Sequence, residues 1–431
     1  MTNAFPSFKR NYTLAAVEGS FFMGGIAFLS MESVMPAMVK DLGGPNWAIA
    51  LAPVMMILGF SWPQVFSALW VERLRAMKPF ILSFALIQRI PYLAAAILLF
   101  TIADGSTVAV MAVILAPFLT ASIGGIIGAA YFELVARMIP VQRVASMWAI
   151  RNSIFAVFGI IAGFMIKWCL DRFPGMEGYA ILHLMAWGML MVSWIVFLGI
   201  REDNIPESTP TDPISLEIGF SAFMEQWRAN RSLGRFVITR ILFLLIFTAV
   251  PFLSLRAIEV TGSAFSLLGM LVIPQSFGAI AGNLIIGYLG DKFGVRLPML
   301  LGRIFSIACL LVVMFATSTW HFMTVFFLLG IGINTAHVGD ITMVIDFAPP
   351  KRRKFFFAMM GLLMLPGPLL AAVVCAGLRY LDTGFYLACI TSIVAILISL
   401  LILHRVKDPR NHEVAKSPLD PQSTQTASQV L

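Results

Sequence analysis

Apolar residues in this chain come in near-continuous runs of about 20 or more, separated by short segments rich in charge, Pro and Gly. A run of that length spans the roughly 30 Å hydrocarbon layer of a bilayer, and with no water to satisfy its backbone it must be a helix. Twelve runs are read, at 12–38, 47–70, 79–102, 107–133, 145–166, 179–200, 236–255, 265–289, 297–317, 321–345, 355–378 and 384–404. The first is too long for the apolar core of a signal peptide, lacks a small-residue cleavage site and carries Glu18 and Glu32, so it is read as a retained helix. The predicted class is an all-α polytopic membrane protein.

Composition agrees and excludes other classes. Charged residues make up 12% of the chain and hydrophobic ones 59%, with a mean hydropathy of +0.89. Soluble domains carry about 25% charge, and disordered chains far less apolar content. The net charge of +8 has a location: 21 of the 30 basic residues fall in segments on the side of the termini, 5 on the other side and 4 inside the runs. By the positive-inside bias both termini are cytoplasmic, in a multi-pass protein of the plasma (inner) membrane. Topology accounts for the basic surplus, and no nucleic-acid partner is needed. Cys169, Cys309, Cys375 and Cys389 lack metal-ligand spacing and are expected to pack as small apolar residues. No cofactor or metal is expected.

The longest break, 201–235, divides the runs six and six. The expected organisation is an N-terminal bundle (1–200), a cytoplasmic linker (201–235), a C-terminal bundle (236–404) and a largely disordered tail (405–431). Within the linker Leu216, Phe220, Phe223, Met224 and Trp227 recur at helical spacing, an amphipathic helix that either lies at the membrane interface or packs on the bundle ends. Two short segments repeat between the halves: Ile139-Pro140-Val141-Gln142-Arg143 resembles Ala348-Pro349-Pro350-Lys351-Arg352, and Glu72-Arg73-Leu74 resembles Asp291-Lys292-Phe293. The reading is a parallel duplication.

Between runs eight and nine stands Gly287-Tyr-Leu-Gly-Asp291-Lys292-Phe293-Gly294-Val295-Arg296. This pattern, at an inner loop after the eighth of twelve spans, resembles the signature of the major facilitator superfamily of secondary transporters. The resemblance implies two six-helix bundles related by a pseudo-two-fold axis, with spans one, four, seven and ten lining a central cavity. It also implies that this loop latches the halves on the cytoplasmic side, with Asp291 approaching Arg151 near the start of span five. Gly287 and Gly294 are expected to allow close helix approach and a tight reversal. The first-half copy departs from the pattern, with Ala68 and Arg75 at the glycine positions and Glu72 for Asp, keeping Arg73. The drug-exchanger pattern of span five is reduced to Gly159-x-x-x-Gly163, read as a packing face.

An ionisable group near the bilayer centre costs about 2.5–3.5 kcal/mol, so each needs a partner, a cavity or a route to the surface. Arg151, Arg240 and Arg303 are expected to snorkel to the headgroups, and Glu133 and Asp340 to pair with basic loops. Arg89 lies deeper, and a buried structural pair is favoured for it over ligand contact. Glu18 and Glu32 lie about 40° apart on one helical wheel, both on the cavity helix. Asn334, His337 and Asp340 step by three along span ten as a polar stripe. These six (Glu18, Glu32, Arg89, Asn334, His337 and Asp340) are the substrate or coupling candidates. Pro53, Pro63, Pro274 and Pro366-Gly367-Pro368 are expected to break their helices.

The function expected is secondary active transport of a small solute by alternating access, with a coupling proton or ion as a candidate and the protein a monomer. A phosphate loop, a Gly-x-Ser-x-Gly elbow and a His-Glu-x-x-His motif are absent from the sequence, which disfavours a pump or a membrane enzyme. A non-transporting sensor on the same scaffold is the alternative.

Overall fold

The structure, a computed structural model, describes residues 6–71, 73–102, 106–203, 216–348 and 353–406. The described residues form α1 (Phe8–Ala27), α2 (Val34–Asp41), α3 (Asn46–Leu51), α4 (Met55–Ser61), α5 (Gln64–Val71) and α6 (Met77–Thr101). There follow α7 (Thr107–Met138), α8 (Val141–Arg172), α9 (Met176–Leu198), α10 (Leu216–Ala229), α11 (Arg231–Leu244) and α12 (Val250–Thr261). The last are α13 (Leu267–Phe293), α14 (Arg296–Met314), α15 (Thr319–Phe347), α16 (Arg353–Met364), α17 (Pro366–Leu378) and α18 (Gly384–His404).

Among the described residues ten helical rods are long and apolar enough to cross a membrane, and they coincide with the last ten expected spans. The first two differ. Span one stops at Ala27 and resumes at Val34, because Pro36 lacks an amide hydrogen and its ring excludes a continuous helix; it sits in the first turn of α2. Span two is α3, a 3₁₀ turn at Ala52–Val54 holding Pro53, α4, and α5 beyond Pro63. Span eleven also breaks as expected, at Leu365 before Pro366. Pro274 does not: α13 runs unbroken through it, as α6 and α7 do through Pro91 and Pro117.

In the N-terminal half α1 packs on α8 and α9, and α6 on α7 and α9; in the C-terminal half α13 and α14 pack on α15, and α11 and α14 on α18. On the side away from the termini one apolar core runs through both halves, from Leu29 and Met35 to Leu253 and Ala371. On the terminal side the core divides, one part around Ala16, Met138 and Phe197, the other around Phe236, Met299 and Phe347. The halves are therefore joined most extensively at the far side. There α8 meets α13 glycine to glycine: a Cβ on Gly163 would stand 2.7 Å from the Gly269 carbonyl, and one on Gly159 2.4 Å from Ser276 Oγ. The expected packing face of span five is thus an inter-bundle contact. On the terminal side α16 touches α5, and Phe132 stacks on Phe357 with ring centroids 6.5 Å apart.

Of the two placements open for the amphipathic helix, α10 takes packing on the bundle end: Phe223 is buried, its ring 5.3 Å from that of Phe356, while Phe220 stays exposed. The linker's start is tied to the first bundle. Glu202 accepts the Met77 and Lys78 amides, each at 2.8 Å, satisfying free N–H groups at the start of α6. The expected disordered tail lies outside the described residues from 407 onward.

Candidate functional site

Glu18 lies in α1 about ten residues from the terminal-side end, roughly 15 Å deep at 1.5 Å per residue, and is buried. Each of its carboxylate oxygens accepts from a hydroxyl: Oε1 from Ser193 on α9 at 2.9 Å, Oε2 from Tyr131 on α7 at 3.0 Å. Each hydroxyl in turn accepts from a guanidinium. Arg89 Nη2 on α6 donates to Ser193 at 3.3 Å, and Arg151 Nη1 on α8 to Tyr131 at 3.3 Å. One carboxylate thus serves two arginines through two hydroxyl bridges. Arg89 also donates from Nη1 to the Ala85 carbonyl at 2.6 Å and to Gln88 Oε1 at 2.9 Å, and from Nε to the Leu190 carbonyl at 3.1 Å.

Arg151 does not snorkel to the surface, contrary to expectation. Its guanidinium lies over the Trp148 ring at 4.5 Å and against Gly19, where an added Cβ would stand 2.1 Å from Nε. The missing side chain at Gly19 makes the space this arginine occupies.

The second bundle carries a related arrangement. Arg240 on α11 pairs with Asp340 on α15 through Nε and Oδ2 at 2.9 Å. Arg303 on α14 is fully buried, with Nε donating to Ser399 at 3.0 Å and Nη1 to the Met299 carbonyl at 3.0 Å. Arg240 and Asp340 lie within electrostatic reach of it. Both arginines are engaged within the bundle instead of extending outward, and Asp340 meets an arginine of α11 instead of a loop, because partners inside the bundle cost less than stretching outward. Glu133 does pair near the end of its span, with Arg137 at 3.0 Å, and Arg137 also meets Glu202 at 3.2 Å.

The two bundles match at three positions. Phe22, Arg89 and Ser193, from the first, third and sixth spans of one bundle, correspond to Phe243, Arg303 and Ser399 in the other. Both arginines bond the carbonyl four residues back, both reach the serine, and both lie over the phenylalanine, at 5.7 Å and 5.0 Å. Tertiary contact thus shows a duplication that sequence comparison found only in loops.

Other candidates are dispersed. The break after Ala27 takes Glu18 and Glu32 off a common wheel; Glu32 accepts from Gln275 on α13 at 3.2 Å, a link between bundles on the far side. The stripe on α15 also divides: Asn334 bonds Asn283 on α13 at 2.9 Å, His337 is exposed, and Asp340 faces α11. At the loop after α13, Gly294 has φ +81°, the reversal that glycine permits. Gly287 faces open space, so the close approach expected there is not made. Lys292 lies over its neighbour Phe293 at 5.2 Å, and Arg296 donates to the His404 and Val406 carbonyls at 3.3 and 3.1 Å. Arg73 is exposed. Glu72 and the side chain of Asp291 lie outside the described residues, and Arg151 is engaged within its own bundle. Sequence reasoning missed Tyr131, Ser193, Gln275 and Gly19; their only signal was polarity or small size within an apolar run.

The sequence model of the Major Facilitator Superfamily matches residues 235–430. Solved structures extend the likeness over the whole fold. A transporter of the POT family, bound to a thioalcohol-conjugated peptide, aligns with a TM-score of 0.69 at 12% identity, covering 92% of this chain and 96% of its own. The nucleoside transporter NupG gives 0.65 at 14%, covering 92% and 98%. A bacterial homologue of the iron transporter ferroportin, outward-facing, gives 0.63 at 13%, covering 91% and 98%. The C-terminal part of the chain thus matches the Major Facilitator Superfamily model, and the whole chain shares the fold of these solved transporters. A comparison with curated proteins gives no match. This chain is a multi-pass helical protein with the fold of these transporters, and Arg89 is the candidate in it most plainly placed for structure. Arg89→Ala is expected to lose folded protein, measured as the monodisperse fraction after purification, with Arg89→Lys retaining more. A well-folded but inactive Arg89→Ala would overturn that role.

Proposed function

We propose that this protein is a secondary transporter of the major facilitator superfamily that moves a small polar or charged solute by alternating access. The solute site lies between the bundles, bounded by Glu18, Tyr131 and Arg151 on one side and by Arg240 and Asp340 on the other. The observation that carries this reading is the pair of ionic clusters, one in each bundle, beside a core that is continuous on the far side and divided on the terminal side. Rocking about such a site exposes it to one side at a time. The terminal side is read as cytoplasmic from its basic residues, and the protein as a monomer. The structural neighbours bind chemically different solutes, so the fold leaves the solute open.

Glu18 and Glu32 are the proton-coupling candidates. Glu32 links the bundles through Gln275, so a change in its charge acts directly on the far-side contact. Counterflow in proteoliposomes tests the transporter reading: solute exchange supports it, whereas product formation, or binding without exchange, would point to an enzyme or a sensor. Glu18→Gln or Glu32→Gln is expected to flatten the pH dependence of exchange. A wild-type profile in both variants would remove proton coupling through them.

A further inference from the structure

We propose that the transported solute carries an oxyanion, a carboxylate or a phosphate, held by the guanidinium groups of Arg151 and Arg240. The inference rests on the transporter reading above and names the chemistry of its site.

The argument begins with charge. Among the described residues the two clusters hold four arginines, Arg89, Arg151, Arg240 and Arg303, and two carboxylates, Glu18 and Asp340. Each bundle thus has one guanidinium more than its carboxylate neutralises. Arginine does not discharge within the accessible pH range, so the excess cannot be relieved by losing a proton. An uncompensated ion in the membrane interior costs several kcal/mol, and an anion from outside the chain relieves it.

The geometry says which arginines receive that anion. In each bundle one arginine is sealed: Arg89 is 3% exposed and Arg303 0%, both bonded to carbonyls and a serine. The other is partly exposed, Arg151 in the first bundle and Arg240 in the second. The Arg151 side chain makes one hydrogen bond among the described residues, from Nη1 to Tyr131, while Trp148 and Gly19 fix the plane of its guanidinium. Arg240 engages Asp340 through Nε, and its terminal nitrogens have no hydrogen bond among the described residues. A guanidinium held in plane with free N–H groups presents the fork that reads carboxylate or phosphate with two parallel bonds. Arg151 is such a fork in the first bundle, and Arg240, over the Phe236 ring at 5.7 Å with its terminal nitrogens unbonded among the described residues, is its counterpart in the second, so an oxyanion engaged by both favours the bundles coming together around it.

The test uses the purified full-length protein in detergent. Thermal unfolding is followed with citrate, inorganic phosphate, glucose 6-phosphate, pyruvate, glucose and choline, since a ligand that binds only the folded state raises its melting temperature. At least one oxyanion is expected to raise it in a saturable manner, and glucose and choline are not. Carboxylates and phosphates are separate arms that distinguish the two groups. Arg151→Gln is expected to weaken that binding at least tenfold, with Arg151→Lys intermediate because it keeps charge but loses the fork; Arg240→Gln provides an independent variant should Arg151→Gln not fold. Stabilisation by glucose or choline alone, no response to any oxyanion, or equal binding by Arg151→Gln and Arg240→Gln would each overturn the inference. Counterflow with the labelled ligand separates the two readings. Binding without exchange sinks transport and leaves the oxyanion site, whereas exchange of a non-anionic solute keeps transport and sinks the oxyanion.

Discussion

Asp340→Ala is expected to destabilise the C-terminal bundle by about 3–5 kcal/mol, the usual cost of removing one partner of a buried ion pair. Asp340 lies 2.9 Å from Arg240 and within electrostatic reach of fully buried Arg303. Without it Arg240 and Arg303 lie within electrostatic reach of one another with the Asp340 carboxylate gone. The loss would appear as an earlier thermal transition and a smaller monodisperse fraction in detergent. Replacing the pair together, Arg240→Met with Asp340→Leu, is expected to recover only the part of the loss that comes from the orphaned Arg240, because Arg303 stays buried without Asp340. A single variant that melts like the parent would show that Asp340 does not balance these arginines.

Gly163→Val is expected to open the far side. A Cβ at this position would stand 2.5 Å from Ile273 Cγ1 and 2.7 Å from the Gly269 carbonyl, and one on Gly269 would stand 2.4 Å from the Gly163 carbonyl. Backbone cannot yield as a flexible side chain does, so α8 and α13 must separate where they now seal the two bundles together. A cysteine at Ser266, which is buried beside this contact, should become reactive to an impermeant thiol reagent in Gly163→Val while remaining protected in the parent. Gly188→Val is the control, since a Cβ there meets nothing within 4 Å. Equal protection of Ser266→Cys in both backgrounds would mean that the glycine contact does not hold the far side closed.

How much was legible in advance follows from the range of each interaction. The ten continuous spans were readable because insertion depends on the summed apolarity of about 20 consecutive residues, a local property. Proline was readable only in part. Pro36, Pro53 and Pro366 stand at helix starts or in a 3₁₀ turn, where a missing amide costs little, whereas Pro274 remains inside α13. Whether a helix stops at a proline or absorbs it depends on what its neighbours supply to the freed carbonyl, which chain position does not disclose.

The candidate site was legible as residue types and not as partners. Glu18, Arg89 and Asp340 were recognisable because ionised groups in apolar runs are costly. That Glu18 serves Arg89 and Arg151 through Ser193 and Tyr131 was not, since the five residues come from five helices as much as 175 positions apart. Helical-wheel reasoning failed for Glu18 and Glu32 for the same cause: a wheel assumes one helix, and α1 ends between them.

By itself the sequence determined that this is a helical membrane protein, where most of its spans fall, that it divides into two halves, and that a few charges lie within the apolar runs. These follow from additive, local solvation energies and from short repeats. Only the tertiary structure decided which charges meet, that the bundles share a matched arginine, serine and phenylalanine arrangement, and that the core is continuous on one side and divided on the other. Such features depend on distances between helices far apart in the chain, where a few ångströms separate a balanced ion from an orphaned one.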